Sequence, residues 1–233
     1  MTGSKEARSF ICDVRAENND QQEAVIIGTP IVFDEWTDMG WYQEKIRASA
    51  LVGCDLKDVR FLTGHNTSMV PLARSRNNNE NSTMRLTVTE KGLEIRVILD
   101  IENNAEARAL YSAIKRGDIS GMSFMMIVDK EKDVWTDVES DYPSREITAI
   151  LRVLEVSAVA FPAYEQTSIQ VASEDSPLDS ARASLESAKQ KLAEERAAKE
   201  AAEAAEKAAE AEHERRMEAL GRLENLIKEV MGK

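Results

Sequence analysis

The sequence predicts an α+β fold: a barrel-like, mostly antiparallel β domain with few helices, followed by a long helical C-terminal tail. Three observations carry this. Between Ser9 and about Ala172, short runs rich in β-branched and aromatic residues alternate with turn residues. One amphipathic helical segment interrupts them. After Ala172 glycine is almost absent and Ala, Glu, Lys and Arg dominate, with no aromatic residue, which keeps the aromatic fraction of the whole chain at 5%.

The elements follow in order. Residues 9–16 and 24–33 read as strands, and the Gly28/Pro30 pair in the second suggests a bulge or an edge. Residues 84–89 and 93–99 alternate apolar and polar side chains around Glu90-Lys91-Gly92, a hairpin signature. The spacing of Ala107, Leu110, Tyr111 and Ile114 predicts a helix over 105–116, capped by Asn104 and stopped by Gly117. Residues 121–128 and 147–161 again read as strands. The composition break divides the chain into 1–172, a globular domain, and 173–233, a polar linker with Pro177 and then a charged helical tail.

In the tail, Leu178, Leu185 and Leu192 recur at sevens, and Leu220, Leu223, Ile227 and Val230 recur at three, four and three. The alanine-rich stretch 197–211 between them has no strong seam. The pattern allows coiled-coil pairing, through self-association or with another protein's helix; a solvated helix without a partner is the alternative.

A formal net charge of −12 with no basic stripe argues against nucleic acid as a partner. The two cysteines, Cys12 and Cys54, lack metal-ligand spacing and are too few for a disulfide framework, so both read as small hydrophobes in a reducing compartment. Residues 1–8 have no apolar signal core, and no segment reaches the roughly 20 apolar residues that span a membrane. A cytoplasmic protein without metal or cofactor is expected.

Of the two histidines, His213 lies among charges in the tail, which leaves His65, in Leu62-Thr63-Gly64-His65-Asn66, as the candidate base. A serine hydrolase needs a hydroxyl, a neutral imidazole to take its proton, and a third group that fixes the tautomer. Ser123 is a candidate because Gly121 permits close backbone approach and the strand then enters the core. Glu155 interrupts the apolar run 150–160, where an unpaired carboxylate would be costly. Its alternatives are ion pairs with Arg152 or Arg74. A Cys54/His65 thiol protease and a serine–Lys115 dyad also stay open on residue type alone. His-Glu-x-x-His, Gly-x-Ser-x-Gly, the phosphate-binding Gly-x-x-x-x-Gly-Lys loop and Gly-x-Gly-x-x-Gly are all missing.

Taken together, the segments resemble those of the phage prohead proteases, a family similar in fold to the herpesvirus assemblins. The matching pieces are Gly28 to Phe33, Glu44-Lys45-Ile46, the His65 segment with Pro71-Leu72-Ala73-Arg74, and Gly92-Leu93. They continue with Ile114-Lys115-Arg116-Gly117-Asp118-Ile119-Ser120-Gly121-Met122-Ser123-Phe124, Leu154-Glu155-Val156-Ser157 and Pro162-Ala163-Tyr164. The resemblance covers roughly 9–171. It implies His65 as base, Ser123 as nucleophile and Glu155 as the orienting group, where the assemblins place a second histidine. Two positions depart from the family pattern: Met125 stands where glycine is common, and Asn66 where an acid often follows the histidine.

The resemblance further implies an endopeptidase inside the phage procapsid in the host cytoplasm. It would cleave the scaffolding region of the major capsid protein, or a separate scaffold protein, and itself. Arg74 would orient substrate or pair with Glu155, and the loop 161–164 is the first place to look for oxyanion donors. The rival from another class is a catalytically inert or dual-role assembly scaffold acting through its tail.

Overall fold

The computed structural model describes residues 4–11, 14–19, 23–160 and 177–231. The first strands are β1 (Ser4–Ile11), β2 (Val14–Asn18), β3 (Ala24–Val32), β4 (Thr37–Asp38), β5 (Gln43–Ile46), β6 (Asp58–Thr63) and β7 (Ala73–Arg76). The hairpin β8 (Met84–Val88) and β9 (Gly92–Leu99) precedes helix α1 (Ala105–Arg116). Then come β10 (Gly121–Val128), β11 (Val134–Thr136), β12 (Ser144–Ile147), β13 (Ile150–Val159) and helix α2 (Pro177–Met231).

The strands form a five-stranded sheet in the order β1-β10-β13-β6-β7 and two four-stranded sheets, β11-β12-β5-β4 and β2-β3-β9-β8. The fold is α+β with mostly antiparallel sheets, as predicted, and β13–β6 and β12–β5 are parallel exceptions. The sheets stay open: among the described residues none closes into a barrel.

Two predicted strands prove to be two strands each. Within 9–16, Ser9–Ile11 belong to β1, which pairs with β10, and Val14–Ala16 to β2, which pairs with β3. Within 147–161, Ile147 ends β12 and Ile150–Val159 form β13, which lie in different sheets, and Phe161 lies outside the described residues. Periodicity along a chain cannot register such a change of sheet, because residues on both sides of it keep alternating.

Elsewhere local chemistry and structure agree. Asn104 Oδ1 accepts the amides of Glu106 (2.9 Å) and Ala107 (3.2 Å), and Gly117 ends α1 in the left-handed region at φ 81°. The buried face of α1 is Ala107, Leu110, Tyr111 and Ile114, each large member worth roughly 1.5–3 kcal/mol of burial. The β3–β9 register shifts between Gly28 and Ile31, at the predicted bulge. There the backbones come so close that a Cβ on Gly92 would sit 1.9 Å from the Ile31 carbonyl oxygen. Along β10, every side chain from Gly121 to Met126 is buried, as expected of a strand covered on both faces.

The chain divides into two compact units, Met1–Glu186 and Ser187–Lys233. The boundary between the units falls inside α2, after Glu186. The first turns of α2 belong to the first unit, where Ser180, Ala181, Ser184 and Leu185 are buried. The Trp135 indole N–H donates to Ser184 Oγ at 3.0 Å, and Ser180 Oγ donates to Glu6 Oε1 at 2.7 Å. Leu185, one of the leucines spaced at sevens, is thus already buried there.

The second unit is the remainder of α2. Its described side chains are largely exposed, with Lys199–Glu203 and Arg222–Glu218 pairs one turn apart and Met217 and Leu220 open to solvent. The side chains of Leu178, Leu223, Ile227 and Val230 lie outside the described residues. Among the described residues no helix is long and apolar enough to cross a membrane.

Candidate active site

Three adjacent strands and one turn bring the predicted site residues together. Ser123 on β10 stands opposite Ser157 on β13, and Met125 stands opposite Glu155, so these four side chains share one face of the five-stranded sheet. On the other side of β13, Glu155 registers with Arg60 and Ser157 with Leu62 of β6. The chain leaves β6 at Thr63 and turns sharply through Gly64 (φ 60°) and His65 (φ 58°), both left-handed. For a histidine this conformation costs roughly 1–2 kcal/mol. The turn is held by Gly64 N–H donating to the Ala158 carbonyl (3.0 Å) and His65 N–H donating to Ser157 Oγ (3.1 Å).

The imidazole then lies between hydroxyl and carboxylate. His65 Nε2 is 2.5 Å from Ser123 Oγ, and Nδ1 is 2.5 Å from Glu155 Oε1. The other carboxylate oxygen, Oε2, accepts from Ser157 Oγ at 2.5 Å. Ser123 is fully buried, and the His65 and Glu155 side chains are 9% and 3% exposed, so water screens this chain of bonds very little. A carboxylate beside Nδ1 favours the tautomer with its proton there, which leaves the Nε2 lone pair facing the serine.

Ser123 Oγ has a second acceptor, the Arg8 carbonyl oxygen, at 2.6 Å. One hydroxyl proton can serve only one of the two acceptors at a time. Arg8 is fixed by its side chain: the guanidinium bonds Glu44 with two nitrogens and Glu6 at 2.5 Å. Arg145 bonds Glu6 and Glu44, each at 2.9 Å, and Asp133 at 2.5 Å, completing a buried cluster of three carboxylates and two guanidiniums.

Burial would push the Glu6 carboxyl up, but the Arg8 and Arg145 charges outweigh it and hold it down at about 2. For Asp133 burial prevails over Arg145 and pushes the carboxyl up to about 6. The fully ionised cluster would have one more negative than positive charge, which favours a proton on one of its carboxylates. Asp133 Oδ1 also has no hydrogen-bond partner among the described residues.

Beside Glu155 opens a cavity of about 330 Å³, lined by Leu62, Met69, Met125 and Leu154, with Lys5 and Arg60 also on its wall. The departure at Met125 thus falls on a surface that shapes this cavity.

The alternatives raised by residue type separate clearly. Arg74 pairs with Asp58 (2.6 Å) and Arg152 with Asp55 (3.6 Å), while Glu155 bonds His65 and Ser157. The Cys54 thiol is pushed up to about 11, mainly by burial, the opposite of an activated thiolate. Lys115 lies over the Tyr111 ring on α1, and His213 is exposed in the second unit. Asn66 caps its own turn by accepting the Ser68 amide at 3.1 Å. The loop 161–164, proposed for oxyanion donors, and Cys12 lie outside the described residues.

Sequence reasoning missed Ser157, the Arg8 carbonyl and the ion cluster. Ser157 carried a signal, because Glu-x-Ser on a strand puts both side chains on one face. The other two did not, since a carbonyl contact and a five-residue cluster drawn from β1, β5, β12 and the segment before β11 have no local pattern.

A hydroxyl, an imidazole and a carboxylate bonded in this order are the groups a serine hydrolase uses. The family of caudovirus prohead serine proteases matches residues 11–179, and the chain belongs to that family. No curated protein and no solved structure matches the chain.

Proposed function

We propose that this protein is the serine endopeptidase of procapsid maturation, with Ser123 as nucleophile, His65 as general base and acid, and Glu155 as the orienting carboxylate. The observation that carries the reading is the unbroken bond chain from Ser123 Oγ through both His65 nitrogens to Glu155. The family membership supplies the serine-peptidase class.

In the proposed mechanism the Ser123 proton turns from the Arg8 carbonyl to His65 Nε2 as Oγ attacks a peptide carbonyl. The imidazolium so formed is stabilised by Glu155, and its proton passes to the leaving amine. Water then repeats the sequence to release the acyl group. The cavity beside Glu155 would receive a substrate side chain; its Leu and Met walls suit an apolar group, and Lys5 and Arg60 suit a nearby acidic one.

The substrates would be the scaffolding region of the major capsid protein or a separate scaffold, and the protease itself, cut inside the procapsid in the host cytoplasm. Helix α2 beyond Glu186 would be the element that associates with scaffold or with a second copy.

The test is co-production with the capsid and scaffold proteins of the same phage, followed by mass spectrometry of intact chains. The wild type is expected to yield shortened capsid or scaffold chains, and Ser123→Ala and His65→Ala full-length ones. Processing that persists in Ser123→Ala and stops in Ser120→Ala would move the nucleophile and refute the assignment.

A further inference from the structure

The geometry points to Ser157 as a positioning residue of the active site, whose single hydroxyl fixes both the Glu155 carboxylate and the main chain of His65. This role rests on the functions proposed above for His65 and Glu155.

Ser157 is fully buried, two residues beyond Glu155 on β13 and directly opposite Ser123 on β10. Its Oγ donates to Glu155 Oε2 at 2.5 Å and accepts from the His65 amide at 3.1 Å. Neither bond can reverse, because an ionised carboxylate only accepts and an amide N–H only donates. The hydroxyl is therefore oriented from both sides. Fixing Oε2 sets the plane of the carboxylate, and with it the direction in which Oε1 meets His65 Nδ1 at 2.5 Å.

The amide bond acts on the other partner. His65 stands in the left-handed region at φ 58°, a conformation that must be held by its surroundings. Ser157 thus ties base and orienting group to one strand, and a hydroxyl is the smallest side chain that can serve both at once.

Loss of this hydroxyl has a consequence that mere packing would not. Without its donor, the buried Glu155 carboxylate has its charge less well stabilised, so the His65–Glu155 pair holds a proton more tightly. His65 should then become harder to deprotonate.

The experiment is ¹⁵N NMR of histidine-labelled full-length protein across a pH series; with only two histidines in the chain, His65 is read against exposed His213. In the wild type neutral His65 is expected as the Nδ1–H tautomer. In Ser157→Ala its titration midpoint should rise by roughly one pH unit, a tenfold change in proton affinity, and Ser157→Thr should return it towards the wild-type value. Cleavage of a capsid-protein substrate by Ser157→Ala should lose roughly tenfold in kcat with KM unchanged. Should the alanine variant not fold, Ser157→Cys, similar in size but a weak donor, is expected to shift the midpoint in the same direction. A variant that melts earlier while His65 titrates as in the wild type would reduce Ser157 to a packing residue. A wild-type His65 in the Nε2–H form would instead overturn the His65–Glu155 pairing, and the role of Ser157 with it.

Discussion

Two buried polar networks meet at Arg8, and they are built on opposite plans. Its carbonyl reaches Ser123, and its side chain enters the Glu6, Glu44, Arg145 and Asp133 cluster. The His65 network contains one carboxylate, two hydroxyls and an imidazole, a ring that can accept a proton at one nitrogen while donating from the other. The cluster is built around two guanidiniums that do not lose their protons. The first arrangement is suited to moving a proton, whereas the second holds charges still. Buried polarity alone therefore says little about catalysis; a titratable group placed between a donor and a carboxylate says much more.

The largest expected separation between the two networks comes from Glu155→Gln. Its amide preserves shape but favours the wrong tautomer, so kcat should fall on the order of 10⁴-fold while unfolding free energy stays within about 1 kcal/mol. Steady-state kinetics and urea denaturation on one preparation check both halves. Near-normal turnover would make Glu155 a structural partner of His65 only.

Arg145→Met should do the reverse. It leaves Glu6, Glu44 and Asp133 buried with one guanidinium among them, a loss of roughly 3–5 kcal/mol of stability. Urea midpoints read this directly, and an unchanged midpoint would show that the cluster is solvated.

The start of α2 extends the comparison, because Ser180 bonds Glu6 and Ser184 accepts from Trp135. A chain ending at Ala172 loses both bonds and the burial of Leu185, together about 3 kcal/mol. One ending at Glu186 keeps them and should melt close to the full-length protein. Equal melting of the two shortened chains would mean that these first turns of α2 add nothing to the fold.

An effect of comparable size is in pH. Glu6 is held at about 2 in the folded state against an ordinary 4.5, so its contribution is present above pH 4.5 and is lost as pH falls towards 2. Asp133 has the opposite sign: its folded value of about 6 against 3.8 means that stability decreases as pH rises from about 4 to 6. Asp133→Asn should remove the second decline and leave the first, so that from pH 4 to 7 the wild type loses several degrees of melting temperature that the variant keeps. Parallel melting curves for variant and wild type from pH 4 to 7 would show that Asp133 titrates normally.

Much was legible in the sequence because local chemistry decides it. The α1 boundaries follow from Asn104, Gly117 and four apolar positions, the β8–β9 hairpin from Glu90-Lys91-Gly92, and the bulge from Gly28 and Pro30. His65, Ser123 and Glu155 could be named because a buried carboxylate, one histidine in the globular part and a serine segment resembling a known family are each visible along the chain. Tertiary structure alone decided what those residues touch. Glu155 turned to His65 while Arg74 and Arg152 took Asp58 and Asp55, a choice made by strand register. The change of sheet at Ile11–Val14, the ion cluster and the docking of the first turns of α2 were settled in the same way. Alternation, caps and turns act within a few residues, but the partners of a buried charge come from wherever the sheets bring chain segments together, up to 174 residues away between Glu6 and Ser180.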